Sequence, residues 1–93
     1  MREREIEQYF IKRVKEAGGL QRKFVSPGHR GAPDRVLVLA AVVYFIEFKA
    51  PGKPLRPEQE REHAKWDRAG AWISVIDSKE QVDALIASRR ATC

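Results

Sequence analysis

Apolar residues near the start of the chain recur at Ile6, Phe10, Val14 and Ala17, one stripe of a helix spanning residues 3–17. Gly18-Gly19 closes it, and Leu20 to Val25 reads as a short strand. Ser26 to Pro33 is rich in Gly and Pro and forms a loop. The pattern then turns from helical to extended. Val36-Leu37-Val38-Leu39 and Val42-Val43-Tyr44-Phe45-Ile46 are runs of β-branched and apolar residues, predicting strands over about 34–39 and 42–49 joined near Ala40-Ala41. A second loop covers residues 50–54. Pro57 suits the first turn of a helix that runs to about Ala69 and stops at Gly70. Ala71 to Ile76 is a further strand. Asp77-Ser78-Lys79-Glu80 has capping-box spacing, with Asp77 in the cap position, and opens a last helix bearing Val82, Leu85 and Ile86. The order α-β-β-β-α-β-α, a hairpin followed by a β-α-β crossover, predicts an α/β fold with a mixed sheet and helices on its faces.

Ninety-three residues suffice for one domain, so residues 1–93 are read as a single unit with one modest core. No stretch approaches the roughly 18 apolar residues of a membrane span, and Met-Arg-Glu-Arg-Glu is too polar for a signal peptide. Cys93 is the single cysteine, which excludes an internal disulfide framework and a zinc cluster. A cytoplasmic protein is expected. Eighteen Lys and Arg against thirteen acids leave a net charge of +5, which points towards a polyanion partner, nucleic acid first.

Against this pattern three charges stand out. Asp34 sits at the start of one strand, and Glu47 and Lys49 stand at the end of the next, among apolar neighbours. Charges are rarely buried unless paired or metal-bound. If the hairpin turns at Ala40-Ala41, paired residues have numbers summing to 81, and Asp34 faces Glu47 with Cβ atoms roughly 4.5–5.5 Å apart. Lys49 then points to the same face. Ala-Ala is a poor pair for a primed turn, so this register is an expectation that the turn chemistry does not support. Two close carboxylates repel unless a cation lies between them, and an all-oxygen site of this kind suits Mg²⁺ or Mn²⁺. Glu3 falls within the buried stripe of the first helix and is the candidate third acid, with Glu7 at the stripe's edge as the reserve. A favourable charge in a first helical turn explains Glu3 almost as well.

Other polar residues fit the same picture. His29 and Arg30 in the Gly/Pro loop, with Lys23 and Lys53, are candidates for DNA phosphate contacts. Trp66 and Trp72 are read as core or subunit-interface residues, and Arg89-Arg90 as a frayed tail.

The pattern Glu3-x-x-Ile6, Gly31-x-Pro33-Asp34, Glu47-x-Lys49 and Gln59 resembles the PD-(D/E)xK nuclease superfamily, with its restriction-endonuclease-like core. Over essentially the whole chain, including Phe45-Ile46-Glu47-Phe48-Lys49-Ala50-Pro51-Gly52, it is similar to standalone VRR-NUC domains of phages and bacteria. That resemblance implies a Mg²⁺- or Mn²⁺-dependent endonuclease. Asp34, Glu47, the backbone carbonyl of Phe48 and Glu3 would be metal ligands. Lys49 would act on the attacking water and the scissile phosphate, and Gln59 would reach the site from the second helix. Similarity to Holliday junction resolvases implies branched DNA as substrate and a homodimer as the working form. A nuclease for linear DNA ends is one alternative. A catalytically silent DNA-binding module on the same fold is the other, opposed by the presence of every acid and the lysine.

Overall fold

The computed structural model describes residues 1–90, except the side chains of Arg89 and Arg90; Cys93 lies outside the described residues. Seven elements follow the predicted order: α1 (Glu3–Glu16), β1 (Leu20–Lys23), β2 (Arg35–Leu39), β3 (Val42–Phe48), α2 (Pro57–Arg68), β4 (Trp72–Ile76) and α3 (Lys79–Arg90). The sheet runs β1-β2-β3-β4. The first two pairings are antiparallel, and β3 pairs parallel with β4 across the crossover made by α2.

Alternation along β3 divides the protein into layers. Tyr44, Ile46 and Phe48 point to one face, where they meet Ile6, Phe10 and Val14 of α1 and Val82 and Ile86 of α3. Phe10 and Phe48 meet edge to face with centroids 5.2 Å apart. Phe45 and Glu47 point to the other face, which α2 covers. There Phe45, Phe24 and Trp66 form a second aromatic group, with centroids 4.6–5.5 Å apart.

Two elements differ from the sequence reading. Ser78, not Asp77, caps α3: its Oγ accepts the Gln81 N–H, and the Gln81 side chain accepts the Asp77 N–H. Asp77 accepts a hydrogen bond from the Gly52 N–H instead. The backbone of α3 also continues through Arg90, where a frayed tail was expected.

The hairpin register is the expected one, from Leu39↔Val42 to Arg35↔Ile46. Ala40 and Ala41 form the two-residue connection, with φ of +51° and +66°. Left-handed backbone costs a residue with a Cβ about 1–2 kcal/mol. The β-branched and apolar strands impose the turn, against the preference of its residues. Asn-Gly in place of Ala40-Ala41 is therefore expected to stabilise the protein by about 1–2 kcal/mol. The measurement is the midpoint of urea unfolding.

Candidate active site

Asp34 lies one residue before β2, where the ladder becomes irregular. Its N–H bonds the carbonyl of Ile46 at 2.9 Å, although Arg35 is the residue paired with Ile46. Two residues of one strand thus oppose one of the other, a bulge pattern that re-aims a side chain. The expectation that Asp34 pairs squarely with Glu47 is corrected at this point. Instead the Asp34 carboxylate turns across and accepts the Phe48 N–H at 2.8 Å. Its carboxyl still comes close enough to Glu47 to feel that group's charge.

Burial is the main cause of a raised Asp34 pKa, about 7 against an ordinary 3.8. The Phe48 N–H opposes the shift, while the charges of Glu47 and, less, Glu3 add to it. A carboxyl whose pKa is higher in the fold than in the unfolded chain takes up a proton on folding. The contribution of Asp34 to stability is therefore fully present below about pH 4 and is lost as pH rises from about 4 to about 7. Without divalent cation, the melting temperature is expected to decline across that window. Asp34→Asn should flatten the decline.

Glu47 is 3% exposed. Gln59 Nε2 donates to its Oε2 at 3.2 Å, and His63 Nε2 lies 3.3 Å from its Oε1. The Gln59 carbonyl oxygen meanwhile accepts the Arg56 N–H at the start of α2, at 2.9 Å. This fixes which end of the amide faces the carboxylate. Gln59 thus holds Glu47 rather than standing free in the site. His63 was not singled out from the sequence, although it follows Gln59 by four residues and shares its side of the helix. Groups that orient a ligating carboxylate typically contribute 10–100-fold to metal affinity or activity, so His63→Ala is expected to cost about that much. A metal titration of the variant would show it.

Lys49 continues the strand two residues beyond Glu47, its N–H bonded to the carbonyl of Ile76 at 3.0 Å. Its side chain is half-buried.

The helix acids separate. Glu7 accepts a hydrogen bond from Arg35 Nε at 2.7 Å, and the same guanidinium donates to Gln21 Oε1 at 2.7 Å. Glu7 is thus engaged in an ion pair that ties α1 to β2. Glu3 is exposed, contrary to the buried position expected for it, yet its charge reaches Asp34. Among the described residues no three acids or histidines come together as a metal-holding group. The side chains therefore assemble Asp34 and Glu47, and Glu3 stays apart.

Of the predicted phosphate contacts, His29, Arg30 and Lys53 are exposed on loops. His29 Nδ1 lies 3.1 Å from Ser26 Oγ. The loop is seated on α2 at Gly31, where an added Cβ would stand 2.5 Å from the Glu58 carbonyl oxygen. Lys23 is exposed but pairs with Arg35, whose side chain points to the α1 layer. Strand alternation puts Arg22 rather than Lys23 on the face that carries Glu47.

The donor set that the side chains bring together is all oxygen: the Glu47 carboxylate and, close to it, the Asp34 carboxylate that accepts the Phe48 N–H. Burial and mutual repulsion leave this pair short of positive charge, so the residues present fit a hard divalent cation.

No family model matches the sequence. The chain is 43% identical over 81 residues to "Putative nuclease p44" of Acyrthosiphon pisum secondary endosymbiont phage 1, covering 86% of this chain and 87% of that protein. A solved structure described as a VRR_NUC domain superimposes with a TM-score of 0.82 at 37% identity, over 91% of this chain and 94% of the other. Likeness in sequence and in fold over nearly the full length places the chain in the VRR-NUC family of nucleases.

Proposed function

We propose that the protein is a Mg²⁺- or Mn²⁺-dependent endonuclease that hydrolyses phosphodiester bonds in branched DNA, working as a homodimer in the cytoplasm of a bacterial or phage-infected cell. The observation that carries the chemistry is the half-buried Asp34 brought close to the buried Glu47, which Gln59 and His63 hold, with Lys49 two residues further along the strand. Asp34, Glu47 and the Phe48 carbonyl would hold the cation. Bound there, it would polarise the phosphate and lower the pKa of the attacking water. Lys49 supplies a positive charge for the phosphate oxygens as negative charge builds in the transition state. Gln59 and His63 keep Glu47 aimed and limit its motion. Arg30 and Lys53 supply positive charge on the loops for the DNA backbone, and His29 lies on the same loop as Arg30 as a candidate phosphate contact. Glu3, exposed on α1, would act on the cation at longer range than the two strand carboxylates.

No helix among the described residues is long and apolar enough to cross a membrane. The net charge of +5 favours a polyanionic substrate.

Labelled four-way junction, linear duplex and single strands, each incubated with Mg²⁺, Mn²⁺ or EDTA, test this reading. Junction cutting in either metal and none in EDTA is expected. Preference for linear ends would reassign the substrate. DNA binding without cutting in any metal would leave a silent binding module.

A further inference from the structure

Arg35 follows Asp34 directly in the chain, and its side chain points into the α1 layer. There Nε donates to Glu7 Oε2 and Nη1 donates to Gln21 Oε1, each at 2.7 Å. One guanidinium thus joins β2 both to α1 and to β1. The Arg35 side chain is only 16% exposed, so water screens the contact with Glu7 in part rather than fully.

This grip lies where the sheet is least regular. A bulge disrupts the ladder locally, and strand pairing alone does not set the direction of the side chain it carries. The backbone of Asp34 is held at two points: its N–H reaches the Ile46 carbonyl, and its carbonyl accepts the Phe24 N–H, both at 2.9 Å. Those bonds fix where the residue sits. The tilt of its peptide units, which decides where the carboxylate points, depends on the residues to either side. Pro33 precedes it, fully buried and locked in φ. Arg35 follows it, anchored from the α1 side by its fork.

The anchor calls for arginine. A planar guanidinium presents its donors in a rigid fork, which suits two acceptors fixed in different elements. Lysine keeps the charge and the stem but offers a compact ammonium with rotating donors. The other ion pairs of α1 among the described residues are those of Arg13 with Glu16 and with Asp83 of α3, towards the opposite end of the helix from Glu3.

We propose that Arg35 is a positioning residue of the candidate site: gripped by Glu7 and Gln21, it locks the bulge that turns the Asp34 carboxylate across to the Phe48 N–H. It acts through Asp34 and touches neither cation nor DNA. The same anchor sets α1 against the strand. Glu3 stands four residues before Glu7, on the same side of the helix, and its charge reaches Asp34. Glu7, the reserve ligand of the sequence reading, thereby serves the site through Arg35.

This inference rests on Asp34 as a cation ligand, yet its first readout needs neither cation nor DNA. Hydrogen exchange of the Phe48 amide reports its bond to the Asp34 carboxylate, and exchange of the buried Ile86 amide in α3 reports overall stability. In metal-free Arg35→Lys, Phe48 should exchange about 10-fold faster relative to Ile86, the effect of losing one hydrogen bond to a charged group. Glu7→Gln should shift the ratio in the same direction, and it decides the question should Arg35→Lys not fold. Arg13→Ala, which frees α1 from Asp83, should leave the ratio unchanged. Calorimetry should then show about 10-fold weaker Mn²⁺ binding for Arg35→Lys and none of that loss for Arg13→Ala. An unchanged exchange ratio in Arg35→Lys and Glu7→Gln, or an equal change in Arg13→Ala, would overturn the positioning role. Wild-type Mn²⁺ affinity in a variant whose Phe48 amide is freed would instead remove Asp34 from the ligands. A wild-type chain that binds no Mn²⁺ would overturn the proposed function and leave the exchange ratio to decide this inference.

Discussion

Glutamine in place of Glu47 is expected to reduce metal-dependent strand cutting by at least about 10³-fold, from lost cation binding and lost stabilisation of the transition state. The substitution keeps the shape of the side chain. It removes the charge that, with Asp34, would hold a divalent cation at this strand end. Glu47 is almost fully buried and is gripped by Gln59 and His63. Asp34→Asn should behave similarly. Lys49→Ala should lose about 10²–10³-fold, the usual cost of one group aimed at developing charge. Cation affinity separates these cases. It should fall in the two carboxylate variants and stay near wild type for Lys49→Ala, as read by calorimetry with Mn²⁺. Wild-type cutting by Glu47→Gln would remove this residue from the chemistry.

Gly31→Ala is expected to destabilise the fold by about 3 kcal/mol or more, the largest effect of a methyl group added at any of the six glycines. Two physical causes act together. Gly31 has φ +87°, a conformation that a residue with a Cβ rarely adopts. The added Cβ would also stand 2.5 Å from the Glu58 carbonyl and 2.8 Å from the Gln59 Cα, both backbone atoms of α2 that no rotamer change can move aside. The collision falls on the helical turn that supplies Gln59, three residues from Asp34 along the other chain segment. Relief would push α2 outward and loosen the Gln59–Glu47 contact, so cutting should fall beyond what the lost stability explains. Chemical denaturation gives the first quantity. Activity measured well below the melting temperature gives the second. Gly28→Ala is the control: it shares the positive φ, but its Cβ meets nothing within 4 Å.

Much of the site was legible because strand geometry converts sequence spacing into proximity. The two apolar runs on either side of Ala40-Ala41 located the hairpin centre, and with it the nearness of Asp34 to Glu47, even though Ala40-Ala41 is a poor turn. The helical stripe of α1 likewise identified Ile6, Phe10 and Val14 as core. Proximity was not the whole arrangement. The register foresaw a square pairing of Asp34 with Glu47, and the chain instead bulges at Asp34, so that its carboxylate caps the Phe48 N–H. Hydrogen bonding to a particular backbone group leaves no periodic trace.

Residues brought in from other elements were harder to read. His63, on the side of α2 that carries Gln59, had no role in the sequence reading until α2 packed over Glu47. The helical wheel put Glu3 within the buried stripe and Glu7 at its edge, whereas the structure exposes Glu3 and half-buries Glu7. The choice between them was made by Arg35, which comes from a strand 28 residues away and claims Glu7. The same limit applied to Lys23, where only the pairing with Arg35 showed which face it takes.

By itself the sequence determined the order of elements, the register of the hairpin and the presence of two acids and a lysine at one strand end. Those follow from local periodicity, which each segment carries within itself. The tertiary structure alone decided how Glu47 is held, which helix acid stays free, where Asp34 points and what Arg35 grips. Each depends on a partner supplied by a distant segment, and such partners are chosen by packing and charge once the layers meet.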